Sequence, residues 1–117
     1  MDDSRPIFLQ IAERIENDIV SGAFAEETQI PSTNELAAFL RINPATAGKG
    51  VNLLVDQGIL YKKRGIGMFV ATGARERLIT TRREAFRDQY IAPLLAEAQK
   101  LGITPAELAR LIEGDER

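Results

Sequence analysis

Four cations in this chain stand beside residues that turn the backbone. Lys49 lies just over one helical turn beyond Asn43-Pro44, and Lys62, Lys63 and Arg64 run directly into Gly65-Ile66-Gly67. An ammonium or guanidinium group next to a glycine turn is suited to charge-assisted hydrogen bonds with phosphate, because no Cβ keeps the backbone away from it. Bond-breaking chemistry has little to work with. The chain has no His, the commonest general base and metal ligand, and no Cys, which excludes a thiolate nucleophile, thiolate-bound zinc and a disulfide. Its acids scatter over predicted helix faces without an evident pair, so an enzyme is disfavoured and neither metal nor cofactor is expected. Gly65-Ile66-Gly67 has no βαβ context and is not read as a nucleotide-binding loop.

The charge is unevenly distributed. The chain as a whole has 15 basic and 17 acidic residues, a net of -2. Residues 1–40 carry two basic and eight acidic side chains (net -6), residues 41–87 ten and three (+7), and residues 88–117 three and six (-3). A block of one sign is a candidate footprint for a polyanion, although a solvated basic face balanced by intramolecular acids gives the same count. With 117 residues, 44% of them hydrophobic, the chain has the size of one domain or one domain with a small appendage. No apolar run approaches a membrane span, and Met1-Asp2-Asp3 lacks the basic-then-apolar order of a signal peptide. A soluble, cytoplasmic protein without a membrane partner is expected.

The elements that must hold these cations can be read from periodicity and caps. Phe8, Ile11, Ala12, Ile15 and Ile19 recur at spacings of three and four, predicting a helix that starts at Pro6 and ends at Gly22. After a loop ending at Ile30-Pro31, Ser32-Thr33-Asn34-Glu35 has the form of a capping box for a short helix with Leu36, Ala37 and Leu40 inward. Arg41-Ile42 links it tightly to Asn43-Pro44, which opens a third helix running to about Gln57 with Ala47, Val51, Leu54 and Val55 inward and Gly58 as its stop. The period then changes: residues 59–63 and 68–71 read as two strands joined through Arg64-Gly65-Ile66-Gly67. From Ala74 the pattern is helical again. Pro93 should kink or break it near Ala92, Gly102 closes it, and Thr104-Pro105-Ala106-Glu107 opens a last short helix through Leu108, Leu111 and Ile112.

Helix, short helix, tight link, third helix and hairpin make a winged helix-turn-helix plan, in which the third helix enters a major groove. The predicted class is therefore mainly α with a small β-hairpin: a winged helix-turn-helix over residues 1–72, followed by a C-terminal helical dimerisation region over residues 73–117. Pro31-Ser32-Thr33-Asn34-Glu35-Leu36-Ala37, Ile42-Asn43-Pro44-Ala45-Thr46-Ala47, Gly58-Ile59-Leu60 and Lys63-Arg64-Gly65-Ile66-Gly67-Met68-Phe69-Val70 resemble, in order and spacing, the N-terminal domain of the GntR superfamily of bacterial transcription regulators. The Asn-Pro-x-Thr start of the third helix and the short tail resemble the YtrA-like branch. The resemblance implies a repressor that binds a double-stranded operator as a homodimer.

Roles follow residue by residue. Ser32 caps the second helix, whose free N–H groups, with Thr33 and Asn34, suit a phosphate; Asn34 stands where the family usually has Arg. Asn43 caps the third helix, Ala45 and Thr46 occupy its first turn toward base edges, and Lys49, at a position often basic in this branch, is the first choice for a direct DNA contact. Lys62, Lys63 and Arg64 with Gly65 and Gly67 form the wing. Gly48 and Gly50 inside a helix cost about 1 kcal/mol each relative to Ala, and either close approach to DNA or a packing allowance would explain them. Gly48 also departs from the long polar residue the family often places there. Arg75, Arg77, Arg82, Arg83 and Arg87 either extend the basic face or solvate the helix, the latter favoured for the last three.

The apolar stripe of the tail, with Leu78, Ile79, Phe86, Tyr90, Leu94 and Leu101, is longer than the small domain can cover, and a two-fold interface is its best use; packing against the first helix would take part of it. Only 46 residues follow Ala71, too few for the separate effector domain of larger relatives, so any small-molecule effector would need a pocket at the dimer seam. The competing function is a winged-helix protein–protein module without a DNA role. The acidic ends permit it, and the charge between Arg41 and Lys63 weighs against it.

Overall fold

Spacings of three and four become the buried face of α1 (Ile7–Ser21), where Ile11, Ala12, Ile15 and Ile19 are buried and Phe8 is half-buried. Gly22, at φ 90°, ends the helix in the left-handed conformation that a residue without Cβ adopts at no steric cost. The structure is a computed structural model that describes residues 4–114; Met1-Asp2-Asp3, whose order speaks against a signal peptide, lie outside the described residues. The predicted capping box forms at α2 (Thr33–Leu40): the Glu35 N–H donates to Ser32 Oγ at 3.1 Å, and the Ser32 N–H donates to the Glu35 carboxylate at 2.8 Å. Asn43 caps α3 (Pro44–Asp56) by accepting the Ala45 N–H at 2.8 Å.

The tight link between α2 and α3 turns on Arg41, a non-glycine residue at φ 57°. The Ile42 N–H reaches back to the Ala37 carbonyl at 3.0 Å, closing the helix end as a glycine normally would. The hairpin pairs β1 (Leu60–Lys63) with β2 (Gly67–Val70) in antiparallel register, Leu60 opposite Val70 and Lys63 opposite Gly67. Gly67 thus belongs to the strand, and Arg64, Gly65 and Ile66 make the turn.

The loop before α2 does more than connect. The Glu27 N–H donates to the Val70 carbonyl at 2.8 Å, the Val70 N–H to the Thr28 carbonyl at 3.2 Å, and the Ile30 N–H to the Met68 carbonyl at 2.9 Å. Gln29 and Phe69 form an antiparallel bridge. This short segment therefore occupies the free edge of β2, which would otherwise present unpaired backbone groups.

The chain divides into two compact units at the Ile79–Thr80 junction. The core of the first contains Ile11, Ile15 and Ile19 of α1, Val51 and Leu54 of α3, and Leu60 and Val70 of the wing. Ala74 and Leu78, on the first turns of α4 (Ala74–Phe86), join the same core, which carries this unit past residue 72 to Ile79.

In the second unit Pro93 does not interrupt the helix. The last turns of α4 pass into a π-helical turn at Arg87–Ile91, and α5 (Ala92–Lys100) follows at once. A proline ring collides with the carbonyl four residues back in a regular helix. The wider turn, with the Ala92 N–H on the Arg87 carbonyl, relieves that collision by the local rearrangement that π-bulges provide. At the end of α5 the Ile103 N–H bonds to the Ala98 carbonyl at 2.9 Å and the Gly102 N–H to the Gln99 carbonyl at 3.3 Å, a Schellman closure. Thr104 and Glu107 form the second predicted capping box, opening α6 (Pro105–Ile112). No helix of the described residues is long and apolar enough to cross a membrane.

Candidate nucleic-acid interface

The outward face of α3 carries Ala45, Lys49 and Asn52, all exposed, at intervals of four and three. Thr46 and Gly48 are half-buried beside them. The Lys49 ammonium lies 4.2 Å from the centre of the Phe8 ring of α1. This cation–π contact leaves its charge at the surface and pre-orders a long side chain. The two glycines of α3 have different causes. A Cβ on Gly50 would stand 2.8 Å from the Phe8 carbonyl oxygen and 3.1 Å from Ile11, so only glycine lets α3 lie this close to α1. A Cβ on Gly48 would meet Thr33 Cγ2 at 3.6 Å, an ordinary contact. The packing allowance therefore explains Gly50, and no steric need explains Gly48.

At the N-terminus of α2 the capping box occupies the Ser32 N–H and one lone pair of its hydroxyl. The first N–H groups of the helix remain to meet an anion. Bonding from the Ser32 backbone, and then from its side chain, holds the Glu35 carboxyl below the usual carboxylate range. That acid is thereby tied to its cap, although it sits in a turn that would face phosphate. Thr33 is half-buried and Asn34 exposed.

The cationic run of the wing is divided by the two-residue period of a strand. Lys63 lies on the face of Tyr61 and Phe69: its ammonium is 4.3 Å from the Phe69 ring centre, and the two rings stack with centres 5.9 Å apart. Lys62 points to the opposite face. There it lines a groove of about 250 Å³ with Ser32 and Thr33 of α2, Asn52 of α3, and Ile66 and Gly67 of the wing. A second, more open depression of about 550 Å³ runs along α3 past Phe8, Ala45, Gly48, Lys49 and Asn52. The fold thus gathers Ser32, Thr33, Lys62 and Gly67 around one groove and Ala45 and Lys49 around the other, with Asn52 on the ridge between them. Asn34, Arg64 and Gly65 are exposed and line neither. The Asn43 side chain is occupied by its cap.

Three residues of this region were not singled out by the sequence reading. Asn52 carried a weak signal, since it follows Ala45 and Lys49 at helical spacing. Gln29 and Glu27 carried none, because their partners lie more than thirty residues away. Glu27, at φ 63°, accepts from the Thr72 hydroxyl at 2.6 Å, the Thr72 N–H at 3.1 Å and the Tyr61 hydroxyl. Those bonds, Thr72 first and Tyr61 next, with the Lys63 charge nearby, hold its carboxyl below the usual range, while the Tyr61 hydroxyl is pushed up by Glu27. Two of the tail arginines also prove structural. Arg75 Nε donates to the Val20 carbonyl at 2.9 Å near the end of α1, and Arg77 Nη2 donates to the Gly58 carbonyl at 2.5 Å just past α3. Both neutralise the negative end of a helix dipole.

The expected dimerisation residues fall into two groups. Leu78 is only 6% exposed inside the first unit's core, so it has no surface to offer a second chain, and Ile79 is half-buried. Phe86, Tyr90, Leu94 and Leu101 are exposed on the second unit.

A short capped helix, a tight left-handed link, an exposed helix and a basic two-stranded wing define a winged helix-turn-helix protein of the DNA-binding, transcription-regulating class. Residues 8–70 match the model of the bacterial regulatory proteins of the gntR family. The chain belongs to that family, in its YtrA-like branch. It is 28% identical over 110 residues to the HTH-type transcriptional repressor YtrA of Bacillus subtilis, covering 94% of this chain and 82% of that one. A GntR family transcriptional regulator from Listeria monocytogenes superposes with a TM-score of 0.76 at 29% identity, over 97% of this chain and 98% of that one. The DNA-binding domain of AraR, in a crystal structure with an operator, matches 57% of this chain and 81% of its own length, at 36% identity and a TM-score of 0.55. The chain is a regulator and not an enzyme.

Proposed function

We propose that the chain is a cytoplasmic homodimeric repressor that reads an inverted-repeat operator, each protomer contributing one α3 and one wing. Half-sites then lie about one helical turn apart, or a multiple of it. The observation that carries this reading is the uncovered apolar surface of the second unit: Phe86 is 55% exposed, Tyr90 61%, Leu101 63% and Ile112 70%. A monomer rarely leaves so many large apolar side chains in water along one short segment, and a two-fold interface buries them twice over. On this reading residues 1–72 carry the DNA contacts and residues 73–117 the dimer contacts, with Leu78 given to the core.

Within a half-site, Ala45, Thr46 and Lys49 lie against base edges and the adjoining backbone. The α2 N-terminus, through Ser32, Thr33 and Asn34, meets a phosphate. Lys62, Lys63, Arg64, Gly65 and Gly67 carry the wing along the flanking groove, and Asn43 acts through the helix it caps. The operator complex formed by AraR supports this placement, since that domain shares the elements that carry these residues.

Selection of binding duplexes from random sequence, run with a mass measurement in solution, tests the reading. A dimer mass, recovery of an inverted repeat, and a log–log salt slope of about -0.9 per phosphate neutralised are expected. A monomer at micromolar concentration, or binding without salt dependence or sequence preference, overturns it. Lys49→Ala and Lys63→Ala together should weaken DNA binding and leave the dimer intact; unchanged affinity would favour a protein–protein module.

A further inference from the structure

The turn of the wing reaches the segment before α2 through a polar tie. Gln29 Nε2 donates to the Ile66 carbonyl, at the turn of the wing, at 2.9 Å. The turn is closed from within by the Ile66 N–H on the Lys63 carbonyl, also at 2.9 Å. The Gln29 carboxamide lies where a Cβ on Gly67 would stand, so its present position goes with a glycine there. Gln29 is itself held by the antiparallel bridge to Phe69 and by the adjacent Ile30–Met68 bond.

Three residues later the same segment becomes the cap of α2. Backbone bonds fix this segment to β2 at Val70 and Met68, and the Gln29 side chain extends that tie to the turn of the wing, across the groove that also holds Lys62 and Asn52. The turn at Arg64-Gly65-Ile66 lies beyond the Ile30–Met68 backbone bond. Two anion-facing elements grip a rigid duplex well only when their separation is fixed beforehand.

We propose that Gln29 is a positioning residue for DNA binding: it holds the wing tip at a set distance from the α2 N-terminus, so that both meet the duplex without a further ordering step. The inference rests on the DNA reading of the previous subsection. It predicts that Gln29 touches no DNA and acts only through the wing.

The test uses the full chain, the variant Gln29→Met, and a duplex selected by the wild type. Methionine keeps the length and packing of glutamine and removes the donor. Gln29→Asn, one methylene too short to reach Ile66, is the second variant and must behave alike. Loss of one hydrogen bond's worth of ordering lowers affinity by about three- to tenfold on the full duplex, with the melting temperature little changed. The same duplex is then trimmed from its ends until Arg64→Ala no longer affects binding, which marks the absence of DNA beneath the wing. On that trimmed duplex the Gln29 variants bind as the wild type does. In the free protein, amide exchange at Ile66 and Met68 is faster in Gln29→Met. An equal loss on both duplexes, no loss on either, a fall in melting temperature alone, or an Arg64→Ala variant that binds the full duplex normally each overturns the proposal. A wild type that binds no duplex removes the DNA reading itself, a result distinct from wild-type binding that Gln29→Met leaves unchanged.

Discussion

The winged unit and the tail dispose of their apolar side chains in opposite ways. In the first, Ile11, Leu54 and Val70 are fully buried and Ile15, Ile19 and Leu60 nearly so. In the second, Ala98 is buried on α5 and no residue of α6 is buried, while Leu95 is 52% and Leu111 50% exposed. Both units have well-made helix ends, with a capping box in each. The difference therefore lies in tertiary burial and not in local helix quality. Caps of about 1 kcal/mol shape a helix, but packing of an apolar face is what holds it. The winged unit closes its core within one chain, and the second unit leaves most of its large apolar side chains in water.

The sharpest way to break this contrast is to remove equivalent bulk from each side. Leu54→Ala, at a fully buried position in α3, should cost 2–5 kcal/mol in chemical denaturation, roughly the range for a core leucine. Leu101→Ala should cost less than about 0.5 kcal/mol at concentrations where the chain is monomeric, because that side chain is already in water. The two-residue change Tyr90→Asp with Leu94→Asp should halve the mass in sedimentation and leave the winged unit's core intact by circular dichroism. If the tail leucine costs as much as Leu54 in the monomer, the tail is a self-sufficient fold and the contrast fails.

Helix packing in the winged unit can be sharpened further with a pair of glycines in the same helix. Gly50→Ala forces a methyl group against the Phe8 carbonyl, and overpacking of this kind costs about 1–3 kcal/mol. Gly48→Ala meets no such obstacle and removes the flexibility penalty of glycine, so it should raise stability by up to about 1 kcal/mol. Thermal melts of the two single variants decide this, and shifts of the same sign would mean that the α1–α3 approach is looser than its geometry implies.

Much of this architecture was legible in the residues because its signals are local. Ser32 to Glu35, Asn43-Pro44 and Thr104 to Glu107 are each complete within four positions, and each formed as read. The site was legible only in part. Lys62 and Lys63 look like one basic cluster in the sequence, yet strand alternation sends them to opposite faces of the wing. Gly48 and Gly50 look like one anomaly and have unrelated causes. Arg75 and Arg77 read as surface charge but bind carbonyls of elements 55 and 19 residues away. Gln29 and Glu27 gave no signal, because a hydrogen bond across more than thirty residues leaves no periodicity to detect. Pro93 was expected to kink or break the helix near Ala92; a π-helical turn instead carries the chain through, and nothing in the local pattern announces that turn.

The smallest expected effect concerns two carboxylates, one in each unit. Glu27 is held by Thr72 and Tyr61, distant in sequence, whereas Glu107 is held by Thr104 three residues before it, and both have carboxyl groups below their ordinary value of 4.5. A carboxyl group that is more acidic in the folded state stabilises that state above its unfolded value, and this contribution is lost as pH falls through the folded one. Acidification below about pH 4.5 should therefore weaken both sites. Their readouts differ. Protonating Glu27 releases bonds that join the edge strand to the wing base and to Thr72, so the cooperative melt of the winged unit should shift. Protonating Glu107 frees only the first turn of α6, so amide exchange there should quicken while the cooperative melt stays put. Glu27→Gln should lower the melt at neutral pH and converge on the wild type in acid, and Glu107→Gln should do neither. Equal melt shifts for both variants would show that α6 folds together with the winged unit, and the division between a closed unit and an open one would have to be redrawn.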